Sequence, residues 1–156
     1  MILSVDAGTT GITALVMDRD RNVVGRGYQD FPQHFPEPGW VEHDPNEIWS
    51  AVLLAASVAI DGIDKSKIEG IGITNQRETT IAWNKSTGIP VYNAIVWQDT
   101  RTQDWVDELA GSVDTARVTA LTGLPVTAYF SASKIRWILD NVAEARPLIE
   151  RGELIV

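Results

Sequence analysis

The stretch "MILSVDAGTTGITALVMD", residues 1–18, constrains the fold more than any other. Two β-rich apolar runs flank a turn of small residues, and "RNVVGRGYQ" follows after the polar "DRDRN". Runs this close, joined by Gly, Asp and Thr, predict three consecutive antiparallel strands. Residues 31–45, "FPQHFPEPGWVEHDP", hold four prolines and no period, which predicts an ordered loop.

Asp44 then opens a helix on three agreeing signals. It is a good N-cap, Pro45 suits the first helical position, and Glu47 completes a capping-box pattern. The spacing predicts Ile48, Trp49, Val52, Leu53, Ala56 and Ile60 as the apolar face. "IEGIGIT" predicts a strand, "TTIAWNKSTGIPVY" a hairpin around residues 84–88, and "NAIVWQ" another short strand. "DTRTQDWVDELAG" predicts a helix capped by Asp99 or Thr100 and stopped by Gly111. "DTARVTALTG" predicts a second short helix, and "SASKIRWILDNVAEARPLIERG" one or two more with a break near Pro147. Three strands, a helix, a strand and further helices are an α/β order. In such folds polar loops at strand ends carry the sites.

Composition excludes several partner classes. The net charge of −8 argues against nucleic acid and anionic membranes, which need basic surfaces. The absence of cysteine excludes disulfides and thiolate metal sites. His34 and His43 are too few for a His-rich metal site. "MILSVDAG" lacks the basic and long apolar regions of a signal peptide, and "AVLLAASVAI" is too short to span a bilayer. These features predict a cytoplasmic protein. A length of 156 residues is a prior for one domain. The chain stops on "ELIV" just as a strand begins, which predicts a piece cut within a larger protein.

Three constellations could carry chemistry. In "DAGTTG" an aspartate at a strand end precedes small residues and two hydroxyls. Such a turn can hold phosphate oxygens, and its carboxylate can hold Mg²⁺ through water. No Lys follows the glycines, so it is not a Walker A loop. The same hexad also suits a plain β-hairpin. In "GITNQRETT" Arg77 and Glu78 stand side by side at the end of an apolar run. They suit either exposed loop charges or a grip on adjacent hydroxyls, with Arg donating and Glu accepting. Trp97 and Tyr129 offer either core packing or an apolar wall with one polar handle for a polyol. Trp40, Trp49, Trp83, Trp105 and Trp137 are assigned to packing, and His43 to structure. The chain carries no plausible Ser/His/Asp triad or paired-carboxylate hydrolase pattern.

"PGWVEHDP" (38–45), "GITNQRETT" (72–80), "NAIVWQDTRT" (93–102) and "RGEL" (151–154) together resemble the glycerol-kinase branch of the FGGY carbohydrate-kinase family. The resemblance covers essentially the whole chain. It implies a ribonuclease H-like fold of the actin and hexokinase type, with residues 1–156 as the incomplete first domain of a two-domain kinase. It implies ATP-dependent phosphorylation of glycerol, with ATP and Mg²⁺ as cofactors. Arg77, Glu78 and Tyr129 would bind glycerol, and Trp97 would line its carbon side. Asp6 would organise Mg²⁺, while Gly8, Thr9 and Thr10 would face the phosphates. The catalytic base would be an aspartate beyond Val156, so residues 1–156 alone would not turn over. Members are often oligomeric, which leaves a homo-oligomer open. Two positions depart from the usual pattern, Ala7 in place of Gln and Thr13 in place of Arg. The alternatives are another FGGY polyol or ketose kinase, or a non-catalytic glycerol- or phosphate-sensing domain.

Overall fold

A computed structural model describes all of residues 1–156. The chain divides into two compact units, Met1–Gln33 with His43–Arg77, and His34–Glu42 with Glu78–Val156.

In the first unit β1 (Ile2–Ala7), β2 (Gly11–Met17) and β3 (Val23–Asp30) run antiparallel, as the β-rich runs and the turn residues between them predict. A two-residue strand, β4 (Glu42–His43), spans the point where the chain re-enters this unit. Helix α1 (Pro45–Ala59) follows, and the Asp44 side chain accepts from the Asn46 N–H as its N-cap. Strand β5 (Gly70–Asn75) then lies parallel to β1, giving a mixed sheet of order β3-β2-β1-β5. This parallel return through a helix is the topology that the resemblance implies.

One face of the sheet meets α1. Leu3, Val5, Ile12, Ala14 and Val16 pack there with Ala51, Ala55 and Ala59. The stripe of the helix that is buried deepest is thus alanine, not the larger residues that the spacing favours. Trp49 and Leu53 are 61% and 52% exposed. The cause lies in β3. A Cβ on Gly25 would collide with the Ala59 carbonyl oxygen, and one on Gly27 with that of Ala55. Two glycines on the strand and three alanines on the helix let the backbones approach, while Ile48, Val52 and Ala56 close the flanks.

In the second unit β6 (Trp83–Asn84) pairs antiparallel with β8 (Leu154–Ile155). The predicted hairpin is present as a tight turn, in which the Asn84 N–H donates to Ile89 O at 2.9 Å. The short strand β7 (Ala94–Ile95) precedes four helices, α2 (Gln103–Ser112), α3 (Thr115–Thr122), α4 (Ser131–Asn141) and α5 (Ala145–Glu150). Ala82 and Ile95 form a core with Ile138, Val142 and Ala145 from α4 to α5.

Several local expectations need correcting. Helix α2 is preceded by Thr102, with no side-chain cap, and runs through Gly111 to Ser112. Asp99 does not cap it because its carboxylate is buried and engaged elsewhere. The break in the last helical segment falls at residues 142–144, and Pro147 sits in the first turn of α5. There its missing N–H removes no helical bond. Trp49 and Trp105 are exposed, so neither is a core residue.

Candidate functional site

The residues singled out in the sequence fall into two groups, each within its own unit. In the first unit β1 and β2 are joined through Gly8, Thr9, Thr10 and Gly11. The Gly8 N–H donates to Gly11 O at 3.1 Å, so this amide serves the turn itself. No residue of the turn takes a positive φ. Thr10 is exposed and Thr9 half-buried. Gly11 has a steric reason to be glycine, since a Cβ there would stand 2.5 Å from the Tyr28 hydroxyl.

Asp6 is exposed and projects from the face of the sheet opposite α1. The register places Thr74, Asp6, Thr13 and Tyr28 side by side across β5, β1, β2 and β3. Thr13, one of the two positions where the resemblance implies another residue, is thus the direct cross-strand neighbour of Asp6. Groups of three or more His, Cys, Asp or Glu that could cage a metal do not occur. A single exposed carboxylate beside a turn fits a Mg²⁺ that keeps its waters and takes phosphate oxygens as further ligands.

The end of "GITNQRETT" is tied into this unit through Gln76. Its Nε2 donates to Gly8 O at 3.4 Å and lies 3.4 Å from His43 Nδ1. His43 is fully buried against Phe31, ring centroids 4.9 Å apart, which agrees with a structural role. Arg77 closes the unit and is exposed.

Glu78 opens the second unit with a φ of +63°. A left-handed conformation is uncommon for a residue with a Cβ and is often held in place at functional sites. What holds it is the start of α4. The Ser131 N–H and hydroxyl donate to Glu78 Oε2 at 2.9 and 2.8 Å. The carboxylate thereby sits at a helix N-terminus, where negative charge is favoured. Its Oε1 makes no hydrogen bond within the unit, so one oxygen is fixed and the other can accept.

The aromatic residues are brought together as well. Trp97 and Tyr129 meet edge to face with centroids 5.9 Å apart, and Tyr129 touches Phe130 at 5.1 Å. Tyr129 keeps 39% exposure, so an open aromatic surface remains. The Trp97 N–H donates to Thr79 Oγ1 at 3.3 Å, one residue beyond Glu78.

The turn that carries Trp97 leads into a network that sequence reasoning missed. The Arg101 side chain is 0% exposed. It donates through Nε to Asp99 Oδ1 at 2.9 Å, and through Nη2 to Asp99 Oδ2 and Glu42 Oε1, both at 2.8 Å. Its guanidinium lies 3.8 Å from the Trp40 ring centroid and 4.6 Å from that of Trp137. Burial alone would lower the Arg101 pKa, but the bonds to Asp99 and Glu42 outweigh it and raise the value. Tyr92 and Asn93 complete the shell of Glu42, at 2.7 and 2.9 Å. Asp99 also accepts from Val41 N–H at 2.6 Å, and its own N–H donates to Val96 O at 2.9 Å. These bonds pin the turn that carries Trp97. The signal for it was the run "QDTR", where an Asp and an Arg two residues apart can close a ring of hydrogen bonds.

The family model for the N-terminal domain of the FGGY carbohydrate kinases matches residues 1–155. A glycerol kinase of Burkholderia cenocepacia (strain HI2424) is 54% identical over 155 residues, which is 98% of this chain and 31% of that protein. A glycerol kinase of Ligilactobacillus salivarius (strain UCC118) is 52% identical over 156 residues, 99% of this chain and again 31% of the relative. Among solved structures, a Plasmodium falciparum glycerol kinase with ADP superposes with a TM-score of 0.91 at 37% identity, covering 99% of this chain and 31% of its own. A xylulose kinase from Rhodospirillum rubrum reaches 0.82 at 27% identity, over 89% of this chain and 29% of its own. The chain therefore spans 31% of the length of the curated relatives it matches.

Proposed function

The chain belongs to the FGGY family of carbohydrate kinases, and on that premise we propose that the protein carrying it transfers the γ-phosphoryl group of ATP to a terminal hydroxyl of glycerol. The observation that carries this reading is Glu78. One of its oxygens is fixed by Ser131, the other is left to accept, and the Trp97–Tyr129 pair lies in the same unit. A three-carbon polyol needs this kind of site, with hydrogen-bond acceptors for adjacent hydroxyls and an apolar wall for its carbons.

Arg77 donates to the acceptor hydroxyls, Glu78 accepts from them, Tyr129 adds one polar contact and Trp97 lines the carbon side. On the phosphate side, Thr9 and Thr10 face the ATP oxygens. Gly8 keeps the turn narrow, since a Cβ there would stand 3.1 Å from Gly11 O. Asp6 would hold Mg²⁺ through its water shell, and the ion would supply charge neutralisation between the phosphates. Phosphoryl transfer asks the protein for positioning and electrostatics above all, and these residues provide positioning for both partners. No carboxylate of this chain is assigned as the base; the family pattern puts it in a segment outside these residues. We place residues 1–156 as part of the nucleotide-and-acceptor-facing first domain of a larger kinase. No helix is long and apolar enough to cross a membrane, and a cytoplasmic setting fits a kinase that uses ATP.

The test is glycerol-dependent ADP release by the full-length protein, against a panel of xylulose, gluconate and other polyols. Glycerol is expected to give the highest kcat/KM. A clear preference for a ketose or sugar acid would move the protein to another branch of the family. No turnover with any acceptor would favour a sensing domain.

A further inference from the structure

Lys134 is fully buried, 0% exposed, on the first turn of α4. Two costs oppose that placement. Burial takes an ammonium out of water, and a cation at a helix N-terminus opposes the helix dipole. A side chain that only filled space would be Leu or Met. Lys134 instead spends its donors on consecutive backbone carbonyls, Ala128 O at 2.8 Å, Tyr129 O at 2.7 Å and Phe130 O at 3.5 Å. An ammonium has three donors, and here all three point at one turn of chain. That turn presents Tyr129 to Trp97 and delivers Ser131 to Glu78.

The same four-residue segment therefore governs both halves of the acceptor site. If the carbonyls of residues 128–130 let go, the Tyr129 backbone and the start of α4 move together. Ser131 then no longer fixes Glu78 Oε2, and the left-handed backbone at Glu78 loses the bonds that hold it. We propose that Lys134 and Ser131 are positioning residues for the acceptor: they hold Tyr129 and Glu78 in the geometry that grips a polyol, without touching it themselves. Charge supports the arrangement, because Glu78 and Asp99 both act on Lys134 in favour of its ammonium form. This inference rests on the reading of Glu78 and Tyr129 as acceptor-binding residues.

Steady-state kinetics of the full-length protein test it, with glycerol and ATP varied separately in wild type, Ser131→Ala, Ser131→Thr and Lys134→Met. Ser131→Ala is expected to raise the KM for glycerol by about tenfold, the loss carried by a hydrogen bond to a charged group. Ser131→Thr keeps the hydroxyl and is expected to restore it. Lys134→Met is expected to raise the glycerol KM at least as much, and neither variant is expected to change the KM for ATP. If Lys134→Met does not fold, the serine pair decides alone. A wild type active on glycerol whose Ser131→Ala keeps its glycerol KM, or loses glycerol and ATP equally, overturns this inference and leaves the proposed function standing. A wild type inactive on every acceptor overturns the proposed function itself.

Discussion

Ser131 donates twice to a single oxygen of Glu78, once from its backbone and once from its hydroxyl, at 2.9 and 2.8 Å. The two residues lie 53 positions apart in sequence. A carboxylate that serves only to cap a helix needs no left-handed backbone of its own. Glu78 has one, with a φ of +63°, and both bonds from Ser131 go to its Oε2.

Arg101 is the first place where this account can be tested through stability. Arg101→Met would leave Glu42 and Asp99 buried without their cation. Breaking a buried pair in this way costs about 3–5 kcal/mol. Urea unfolding is expected to show a loss of that order. A loss below about 1 kcal/mol, the worth of an exposed pair, would mean that the network does not hold the Trp97 turn.

Lys134 gives a prediction in pH. Burial pulls its ammonium down from 10.5 to about 8, against the opposing pull of Asp99 and Glu78. The unfolded chain keeps this proton up to its ordinary value, while the folded chain loses it near 8. Between those two values the unfolded state binds more protons, so this group makes stability rise with pH across that window. Below about 8 the lysine is charged in both states and burial opposes folding. The ¹³Cε shift of Lys134, followed by NMR, is expected to titrate with a midpoint near 8. A midpoint at the ordinary lysine value would contradict the burial argument.

Much of the first unit was legible in the sequence because its signals are local. The three opening strands follow from β-rich apolar runs and turn residues, and the Asp44 start of α1 from its own cap. Features set by distant partners were not legible. The α1 stripe came out as Ala51, Ala55 and Ala59 because Gly25 and Gly27 on β3 admit a close approach that helical spacing alone does not reveal. Asp99 read as a helix cap, yet Arg101, Glu42 and Val41 claim it. Pro147 read as a break, but the chain had already turned at residues 142–144. At the candidate site the motif pointed to Arg77 and Glu78, and the aromatic residues to Trp97 and Tyr129. A buried lysine on the first turn of a helix runs against both the solvation and the dipole of its position, so no pattern would have announced Lys134.

Asp6 and Thr13 stand opposite each other in the β1–β2 register, and the phosphate reading depends on that pair. Asp6→Asn in the full-length protein is expected to cut turnover strongly, because it removes the carboxylate that would orient Mg²⁺ between the phosphates. Thr13→Arg restores the residue of the family pattern beside Asp6. It is expected to raise turnover and leave the glycerol KM unchanged, because Arg neutralises developing charge that Thr does not. The kinetics of the two variants check this. Normal turnover in Asp6→Asn would remove the phosphate role of the hairpin, and a fall in Thr13→Arg would mean that another cation already fills the place.

The central claim is that Glu78 belongs to the acceptor and not to the nucleotide. Its most direct test is the kinetics of Glu78→Ala in the full-length protein, with glycerol and ATP each varied at saturation of the other. Losing a charged hydrogen-bonding partner to substrate costs about 1.5–3 kcal/mol, or roughly ten- to a hundredfold. The account predicts a fall of that size in kcat/KM for glycerol with the KM for ATP unchanged. Equal losses for glycerol and ATP, or none for glycerol, would contradict it.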